Sequence, residues 1–229
     1  MGKFSILRIG IVNYYNSIME LFSRCIALIM IAVFSPLFFV ISIFSILFQG
    51  FPIFFIQERI GQNFNPFNIY KFRTMKLEKG KKITVENDSR ITKWGSLLRK
   101  IKLDELPQLF NILKGEMRFI GPRPEIKEYV DKESFSFLVD IKPGLSDYGS
   151  ILFRNESKLL QNSKRKIPYI HILEIKIELA NYYQKRKGFI EDLKLVLLTI
   201  LAIGLPNLAL NLIVNNILSD NQRKLFDNI

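Results

Sequence analysis

Two adjacent carboxylates, Asp104 and Glu105, lie in the segment LRKIKLDELPQLFNILKGEMRFIGPRPE (98–125), where cationic side chains are frequent. Neighbouring acids repel each other unless a cation lies between them, and Mg²⁺ with a substrate diphosphate would supply that charge. The pair therefore favours phosphate chemistry. A second interpretation stays open, because Asp104 also stands where the N-cap of a helix is expected and could simply accept hydrogen bonds from free backbone N–H groups.

The turn GPRPE (121–125) predicts a rigid loop that presents Arg123 between two prolines. A guanidinium held in this way suits bidentate phosphate contact, although a single turn arginine more often has a structural role. Upstream, PIFFIQER and FNIYKFRTM are typical of two strands joined by a hairpin turn. Their polar side chains could face a common polyanion or form solvated strand edges, and spacing alone favours the solvated edges. These side chains are Gln57, Arg59, Lys71 and Arg73.

Two amphipathic helices are predicted to position these groups. The segment ITKWGSLLRKI (91–101) places its apolar residues on one face, which would pack on a core or on lipid headgroups. The next segment, LDELPQLFNILKG (103–115), repeats leucine and phenylalanine at helical spacing and ends at Gly115, a suitable stop. We expect Asp104 and Glu105 to open this second helix.

From Cys25 to Gln57 the chain carries no charged residue, and about 20 apolar residues suffice to cross a bilayer. Ser35 and Pro36 lie in the middle of this run, where the proline would kink a helix and the serine hydroxyl could bond a freed carbonyl. Positive charge is concentrated on both flanks, as it is in cytoplasmic segments. We therefore favour a re-entrant helix hairpin broken at Ser35 and Pro36 over a kinked span.

Composition excludes several kinds of site. The 229-residue chain carries a formal net charge of +12, which indicates anionic partners such as phosphorylated substrates or an acidic membrane surface. Cys25 is the single cysteine, so an intramolecular disulfide or a cysteine metal cluster cannot form. His171 is the single histidine, and no nucleophile motif lies near it, so a hydrolase triad is not expected.

The chain resembles the bacterial sugar transferases, the small monotopic polyprenyl-phosphate phosphoglycosyl transferases. The matching stretches cover roughly residues 20 to 200 in the family's order, and KFRTM, LDELPQ and GPRP together are highly specific. They are FSPLFF, PIFFIQERIGQNFNPFNIYKFRTM, DSRITKWGSLLRKIKLDELPQLFNILKGEMRFIGPRPE, IKPGL and EDLKLVLLT.

This resemblance implies transfer of a phosphosugar from a UDP-sugar to undecaprenyl phosphate, with release of UMP. Asp104 would be the nucleophile, and Glu105 would act with it in holding Mg²⁺. Arg123 matches the family's phosphate-binding arginine, and Ser35 with Pro36 matches its helix-breaking pair. To Arg123 we add five further candidates for substrate and phosphate binding, namely Arg59, Lys71, Arg73, Arg99 and Arg154.

The resemblance also implies an architecture and a location. We predict a mostly helical α+β fold with a membrane-inserted re-entrant helix (1–50), a compact catalytic domain (51–200) and an apolar interfacial tail (201–229). Amphipathic interfacial helices and a small β-hairpin would surround the site. The enzyme would lie in the bacterial cytoplasmic membrane with its active site on the cytoplasmic face, in contact with membrane lipids. A homodimer and contacts with downstream glycosyltransferases are further expectations, and nucleic acid is not an expected partner.

Departures from the family pattern concern the sugar. Where relatives often carry PGITGWAQVNGR, this chain has PGLSDYGSILFRNE (143–156), so Asp147, Tyr148 and Arg154 are candidates for a different sugar or nucleotide pocket. Ala180 stands where the family usually has an aspartate. Two other functions remain open, a nucleic-acid-binding membrane protein and an inactive scaffold that docks glycosyltransferases.

Overall fold

A mostly helical α+β architecture with two small sheets is described by a computed structural model for residues 3–78, 85, 88–162, 168–220, 223 and 226, with side chains from Ser17 onward. The helices are α1 Lys3–Gln49, α2 Lys93–Lys100, α3 Gln108–Lys114, α4 Tyr148–Leu152, α5 Glu156–Asn162, α6 Pro168–Arg186, α7 Phe189–Gly204 and α8 Pro206–Asn216. The strands are β1 Phe54–Ile60, β2 Pro66–Phe72, β3 Arg118–Ile120 and β4 Gly144–Ser146. The predicted fold class is confirmed at this level.

The predicted hairpin is present. Strands β1 and β2 pair antiparallel, with Phe54 opposite Phe72 and Ile60 opposite Pro66. The turn contains Asn63 and Phe64 at φ of 55° and 60°, a left-handed conformation that asparagine tolerates better than most residues. The second sheet, in which β3 and β4 run parallel, was not expected from the sequence because each strand has only three residues.

The helix predicted to begin at Asp104 is divided. Residues Leu103–Glu105 form a short 3₁₀ helix after Lys102, which adopts a left-handed φ of 60°. Helix α3 begins only at Gln108, and the residue before it, Pro107, provides no side-chain cap. The interpretation of Asp104 as the cap of this helix is therefore wrong. Gly115 ends α3 at a φ of 79°, as predicted, since glycine adopts this conformation without a steric penalty.

Helix α1 is helical throughout, including Ser35 and Pro36, and the Ser35 hydroxyl donates to the Ala32 carbonyl at 2.8 Å. The structure thus describes one helix where two helices and a turn were expected, and the hairpin stays a prediction. Among the described residues, Ser17–Gln49 is the one stretch of helix long and apolar enough to cross a membrane, and only 11% of its most apolar window is buried.

Both ends of this apolar stretch contact the folded body, that is, the described residues after Gln49. Near its start, Glu20 forms a 2.7 Å ion pair with Lys142, which precedes β4. At its end, the Gln49 side chain donates to the Arg73 carbonyl at 3.0 Å and accepts from the Thr92 hydroxyl at 3.0 Å. Between these points, α1 buries Ala27 and Ile41 in two apolar clusters with α3, β2 and α2. The body therefore packs along the helix from end to end.

The main apolar core is formed mostly by the chain after β3, with Ile60 of β1 and Ile120 of β3, and it includes the C-terminal helices. Helix α8 buries Ala209 and Ile213 completely. The boundary predicted between residues 200 and 201 falls inside α7. On their other sides, α7 and α8 expose large apolar side chains, including those of Leu197, Ile200 and Ile203. A surface of this kind is typical of helices that meet a lipid layer or a partner.

Candidate active site

Asp104 lies in the middle of the 3₁₀ helix and is 8% exposed. Its Oδ1 atom is buried and has no hydrogen-bond partner among the described residues. Burial and the neighbouring Glu105 carboxylate raise the pKa of Asp104, although Lys71, Arg99 and Lys102 oppose the shift. A buried carboxylate oxygen without a partner is unusual in a folded protein and is available to a ligand.

Glu105 has the opposite environment. Its Oε1 accepts from the Lys71 ammonium at 2.9 Å and from the Arg123 guanidinium, which also reaches Oε2 at 3.2 Å. Burial alone would raise the pKa of Glu105, but Arg123 and Lys71 outweigh it and hold that pKa well below its ordinary value. Glu105 therefore stays ionised and fixes two cations beside Asp104.

Arg123 is positioned by a close contact between two glycines. The Gly121 N–H donates to the Ser146 carbonyl at 3.1 Å, and the Gly144 N–H donates to the Pro122 carbonyl at 2.9 Å. A Cβ atom on Gly144 would lie 2.2 Å from the Gly121 nitrogen, so no larger residue fits there. This contact joins the GPRP turn to the start of β4 and fixes the direction in which Arg123 leaves the backbone.

Asp147 connects the same turn to helix α4. One carboxylate oxygen accepts from the Arg123 backbone N–H at 3.2 Å, and the other caps α4 by accepting from the Ser150 N–H at 2.6 Å. The sequence suggested Asp147 and Tyr148 as candidates for a sugar or nucleotide pocket. The structure corrects both expectations, because Asp147 is occupied by these backbone contacts and Tyr148 is buried with its hydroxyl bonded to Glu191 at 2.6 Å.

The structure brings some of the predicted arginines to the carboxylates and not others. Arg99 lies near enough to Asp104 to affect its pKa and donates to the Thr74 hydroxyl at 2.8 Å. Arg73 is buried and its guanidinium donates to the carbonyls of Gln49, Gly50 and Pro52. Arg73 therefore stabilises the end of α1, and neither of the roles considered for it, phosphate contact or a solvated strand edge, matches this geometry.

Arg59 and Arg154 line a cavity of about 500 Å³ that also contains Glu105 and Arg123. Arg59 pairs with Glu125 at 3.2 Å, and Arg154 donates to the Ala202 carbonyl of α7 at 2.9 Å. The cavity volume is in the range of small-molecule sites. Part of its apolar wall comes from helices α1, α3 and α7 and from β4, which contribute Met30, Leu109, Ile203 and Leu145. Leu106, which follows the 3₁₀ helix, also lines the cavity.

A divalent cation fits the donor set. Among the described residues, no group of three or more histidine, cysteine or acidic side chains could hold a metal alone. Mg²⁺ commonly uses one or two carboxylates and completes its shell with water and substrate phosphates. The Asp104 Oδ1 atom is unpartnered, and Glu105 Oε2 makes a single contact at 3.2 Å, so both oxygens retain lone pairs for a metal.

Two polar groups that support the site were missed by sequence reasoning. Asn111 is fully buried and joins α3 to β2 by accepting from the Tyr70 N–H at 3.1 Å and donating to the Asn68 carbonyl at 2.6 Å. Arg118, at the start of β3, pairs with Asp192 of α7 at 3.2 Å, and both are buried. The available signal was the acidic pair at the start of α7, Glu191 and Asp192, because buried charges require partners.

Comparison with known proteins identifies the family of the chain. Residues 14–205 match the family described as bacterial sugar transferase. The chain is 37% identical over 134 residues to the UDP-N-acetylgalactosamine-undecaprenyl-phosphate N-acetylgalactosaminephosphotransferase of Aeromonas hydrophila, covering 55% of this chain and 32% of that protein. It is 32% identical over 169 residues to the UDP-glucose:undecaprenyl-phosphate glucose-1-phosphate transferase of Xanthomonas campestris pv. campestris, covering 69% and 34% respectively.

A shorter relative is matched over more of its length. The uncharacterized sugar transferase EpsL of Bacillus subtilis (strain 168) is 38% identical over 154 residues, which are 66% of this chain and 69% of that protein. The Aeromonas and Xanthomonas relatives are matched over only about a third of their own length. The chain belongs to the bacterial sugar transferase family, an enzyme family, and the resemblance found in the sequence is thereby confirmed.

Proposed function

We propose that this protein transfers a sugar 1-phosphate from a UDP-sugar to undecaprenyl phosphate and releases UMP, as a first step in assembling a lipid-linked glycan. The activities for which the Aeromonas and Xanthomonas relatives are named support the two substrates. One observation carries the proposal: within the described part of the chain, a buried carboxylate oxygen of Asp104 has no partner, and the adjacent Glu105 holds Lys71 and Arg123. This arrangement combines a nucleophile with cations for a phosphoryl group.

The reaction proceeds in two displacements. An Asp104 oxygen attacks the sugar-linked phosphorus, the bond from that phosphorus to the oxygen of UMP breaks, and UMP leaves with the electron pair. A phosphate oxygen of the lipid then attacks the same phosphorus and displaces the Asp104 carboxylate. Arg123 and Lys71 neutralise charge on the nonbridging oxygens in both steps, and the raised pKa of Asp104 indicates a basic carboxylate. Ping-pong kinetics follow from this order.

Mg²⁺ is the proposed cofactor, held by Asp104 and Glu105 together with substrate phosphate oxygens. When bound, it would supply additional charge neutralisation for the diphosphate. Glu105 then has two functions in the proposal, because it also keeps Arg123 and Lys71 in place.

The re-entrant arrangement of α1 is also proposed. The hydrocarbon core of a bilayer is about 30 Å thick, so a helix that crossed it would carry its two ends to opposite sides. Both ends of the apolar stretch of α1 are held against the same folded domain. Glu20 contacts Lys142, and Gln49 contacts Arg73 and Thr92. These contacts support a helix that enters and leaves on one face, the cytoplasmic face where positive charge is concentrated. A homodimer and contacts with downstream glycosyltransferases stay predictions.

The experiment that tests the proposal uses the full chain in detergent with Mg²⁺, undecaprenyl phosphate and a UDP-sugar. UMP release should accompany formation of the lipid product. Asp104→Asn should lower kcat/KM at least about a thousandfold, which corresponds to about 4 kcal/mol. A matched control is Asp140→Asn, which changes an exposed carboxylate that only accepts from Gln184 and should retain full activity.

Mass spectrometry of wild-type protein quenched before lipid is added should detect a phosphosugar on the peptide that contains Asp104. Full turnover by Asp104→Asn, or initial rates that require both substrates bound at once, would contradict the covalent mechanism.

A further inference from the structure

Two buried polar atoms next to Arg123 lack partners. Arg59 Nε and Ser150 Oγ are both buried, and neither has a hydrogen-bond partner among the described residues. Both residues line the cavity that contains Arg123. Leaving a buried polar group unpaired costs about 1–3 kcal/mol, and nearly all such groups in folded proteins are paired. The two atoms therefore indicate a ligand that supplies the missing partners.

Hydrogen bonds made by other atoms of Arg59 and Ser150 connect both residues to the turn that carries Arg123. The Asp147 carboxylate bonds the backbone N–H of Arg123 with one oxygen and that of Ser150 with the other. On the other side, the Arg59 guanidinium donates to the Pro124 carbonyl at 3.4 Å. Because Arg59, Arg123 and Ser150 also line one cavity, a group attached to a phosphate at Arg123 would lie within the cavity that Arg59 and Ser150 share.

The surrounding side chains suit an uncharged, hydroxyl-rich group. Arg59 pairs with Glu125, and Lys176 pairs with Glu156 at 2.5 Å, so these four side chains offer both donors and acceptors while their charges cancel. Two tyrosine rings, of Tyr129 and Tyr169, also line this part of the cavity. Their centroids are 4.8 Å apart, so the rings already contact each other and leave no slot for a base between them. This composition favours a sugar ring over uracil.

We propose that Ser150, Arg59 and the Glu156–Lys176 pair bind the sugar of the UDP-sugar and determine which neutral hexose or N-acetylhexosamine is accepted. The inference rests on the proposed function and adds the residues that bind the sugar and distinguish one sugar from another. Ser150 and Glu156 both belong to the segment 143–156 in which the chain departs from its family's usual sequence. Ser150 Oγ and Arg59 Nε supply hydrogen bonds to ring hydroxyls, while Arg123 binds the attached phosphate.

The test compares wild-type protein with Ser150→Ala and Glu156→Gln. UMP release is measured with UDP-glucose, UDP-galactose, UDP-N-acetylglucosamine and UDP-N-acetylgalactosamine, and inhibition is measured with UDP, which has no sugar. Ser150→Ala removes only the hydroxyl and leaves the backbone contact with Asp147 intact. Ser136→Ala, at an exposed position of another short helix, is the matched control. Thermal unfolding verifies that each variant is folded.

Loss of one neutral hydrogen bond should lower kcat/KM for the preferred donor by about three- to tenfold. The ratio of kcat/KM between that donor and at least one epimer should change by at least about threefold in Ser150→Ala and in Glu156→Gln. Inhibition by UDP and the activity of Ser136→Ala should be unchanged.

Equal losses on all four donors, or unchanged rates on all four, would overturn the sugar-binding assignment and leave a structural role for these residues. Weaker inhibition by UDP in Ser150→Ala would overturn it in favour of the uridine end. By contrast, absence of UMP release from every donor by the wild-type protein would contradict the proposed function itself. The two failures are therefore distinguishable.

Discussion

Asp104 and Glu105 are consecutive residues with opposite electrostatic environments. Glu105 is held by two cations, whereas the Oδ1 atom of Asp104 is buried without a partner among the described residues. The pKa of Asp104 is consequently raised and that of Glu105 lowered. Pairs of carboxyl groups with divergent pKa values commonly take different roles in a reaction, which agrees with the proposal that Asp104 is the nucleophile and Glu105 positions the cations.

The pH dependence of the first half-reaction should report the state of Asp104. Only the ionised carboxylate attacks phosphorus, so the rate should fall as pH decreases through a pKa that lies above the ordinary aspartate value of 3.8. Single-turnover UMP release measured against pH tests this. The Glu105 charge is one cause of the raised pKa of Asp104. On acidification, the residual activity of Glu105→Gln should therefore fall at a lower pH than the activity of the wild type. A fall in activity at a higher pH in Glu105→Gln than in the wild type would contradict this assignment.

Glu105→Gln should also release Arg123 and Lys71. Removing one partner of a largely buried charge pair costs about 2–5 kcal/mol, so we expect kcat/KM for UMP release to fall about a hundredfold. The lowered pKa of Glu105 implies that its contribution to stability is present above about pH 4.5 and is lost as pH falls through the folded-state pKa. Acid unfolding of the wild type should therefore be steeper than that of Glu105→Gln. Identical acid profiles would contradict this role.

At the residue scale, part of the site could be predicted. The motifs identified Asp104, Glu105 and Arg123, and the structure brings Glu105 and Arg123 together, while their catalytic roles stay predictions. Arg73 shows why composition is insufficient. Its charge suggested phosphate, but three backbone carbonyls at the end of α1 take its donors, and no local pattern reveals a contact with residues more than twenty positions away.

Among the secondary-structure elements, the parallel pair β3–β4 determines where Arg123 lies. Gly144→Ala would force a Cβ atom to within 2.2 Å of the Gly121 nitrogen, so the GPRP turn must shift. We expect lower thermal stability and a loss of at least about tenfold in kcat/KM, since small displacements of a phosphate-binding group strongly reduce catalysis. Gly204→Ala is the matched control, because nothing lies within 4 Å of a Cβ there. Wild-type rates in Gly144→Ala would show that the turn tolerates displacement.

Turn and stop signals were predicted from the sequence better than the short elements that depend on tertiary contacts. The hairpin β1–β2 and the stop at Gly115 follow from turn chemistry and glycine's conformational freedom. The 3₁₀ helix at Leu103–Glu105 does not, because it depends on the left-handed Lys102 and on tertiary contacts of Glu105 with Lys71 and Arg123. Such contacts join residues far apart in the chain and leave no periodic pattern.

For the whole molecule, the two attachment points of α1 give a test of topology. Ser17 lies exposed near the start of the apolar stretch, and Ser136 is exposed on the body. In a background carrying Cys25→Ser, single cysteines at these positions should both resist a membrane-impermeant maleimide in intact cells and react after lysis. Labelling of Ser17→Cys alone in intact cells would contradict the one-sided arrangement and indicate a span.

The packing of the body along α1 also determines how the catalytic centre moves. Glu20 and Gln49 both attach α1 to the rest of the described fold. The apolar stretch of α1 and the candidate site therefore move together. In a bilayer, the depth of α1 would therefore determine how far Asp104 and Glu105 lie from the lipid headgroups. If the proposed function holds, the protein would meet its lipid substrate by diffusion within the plane of the membrane, while the UDP-sugar would reach the same site from solution.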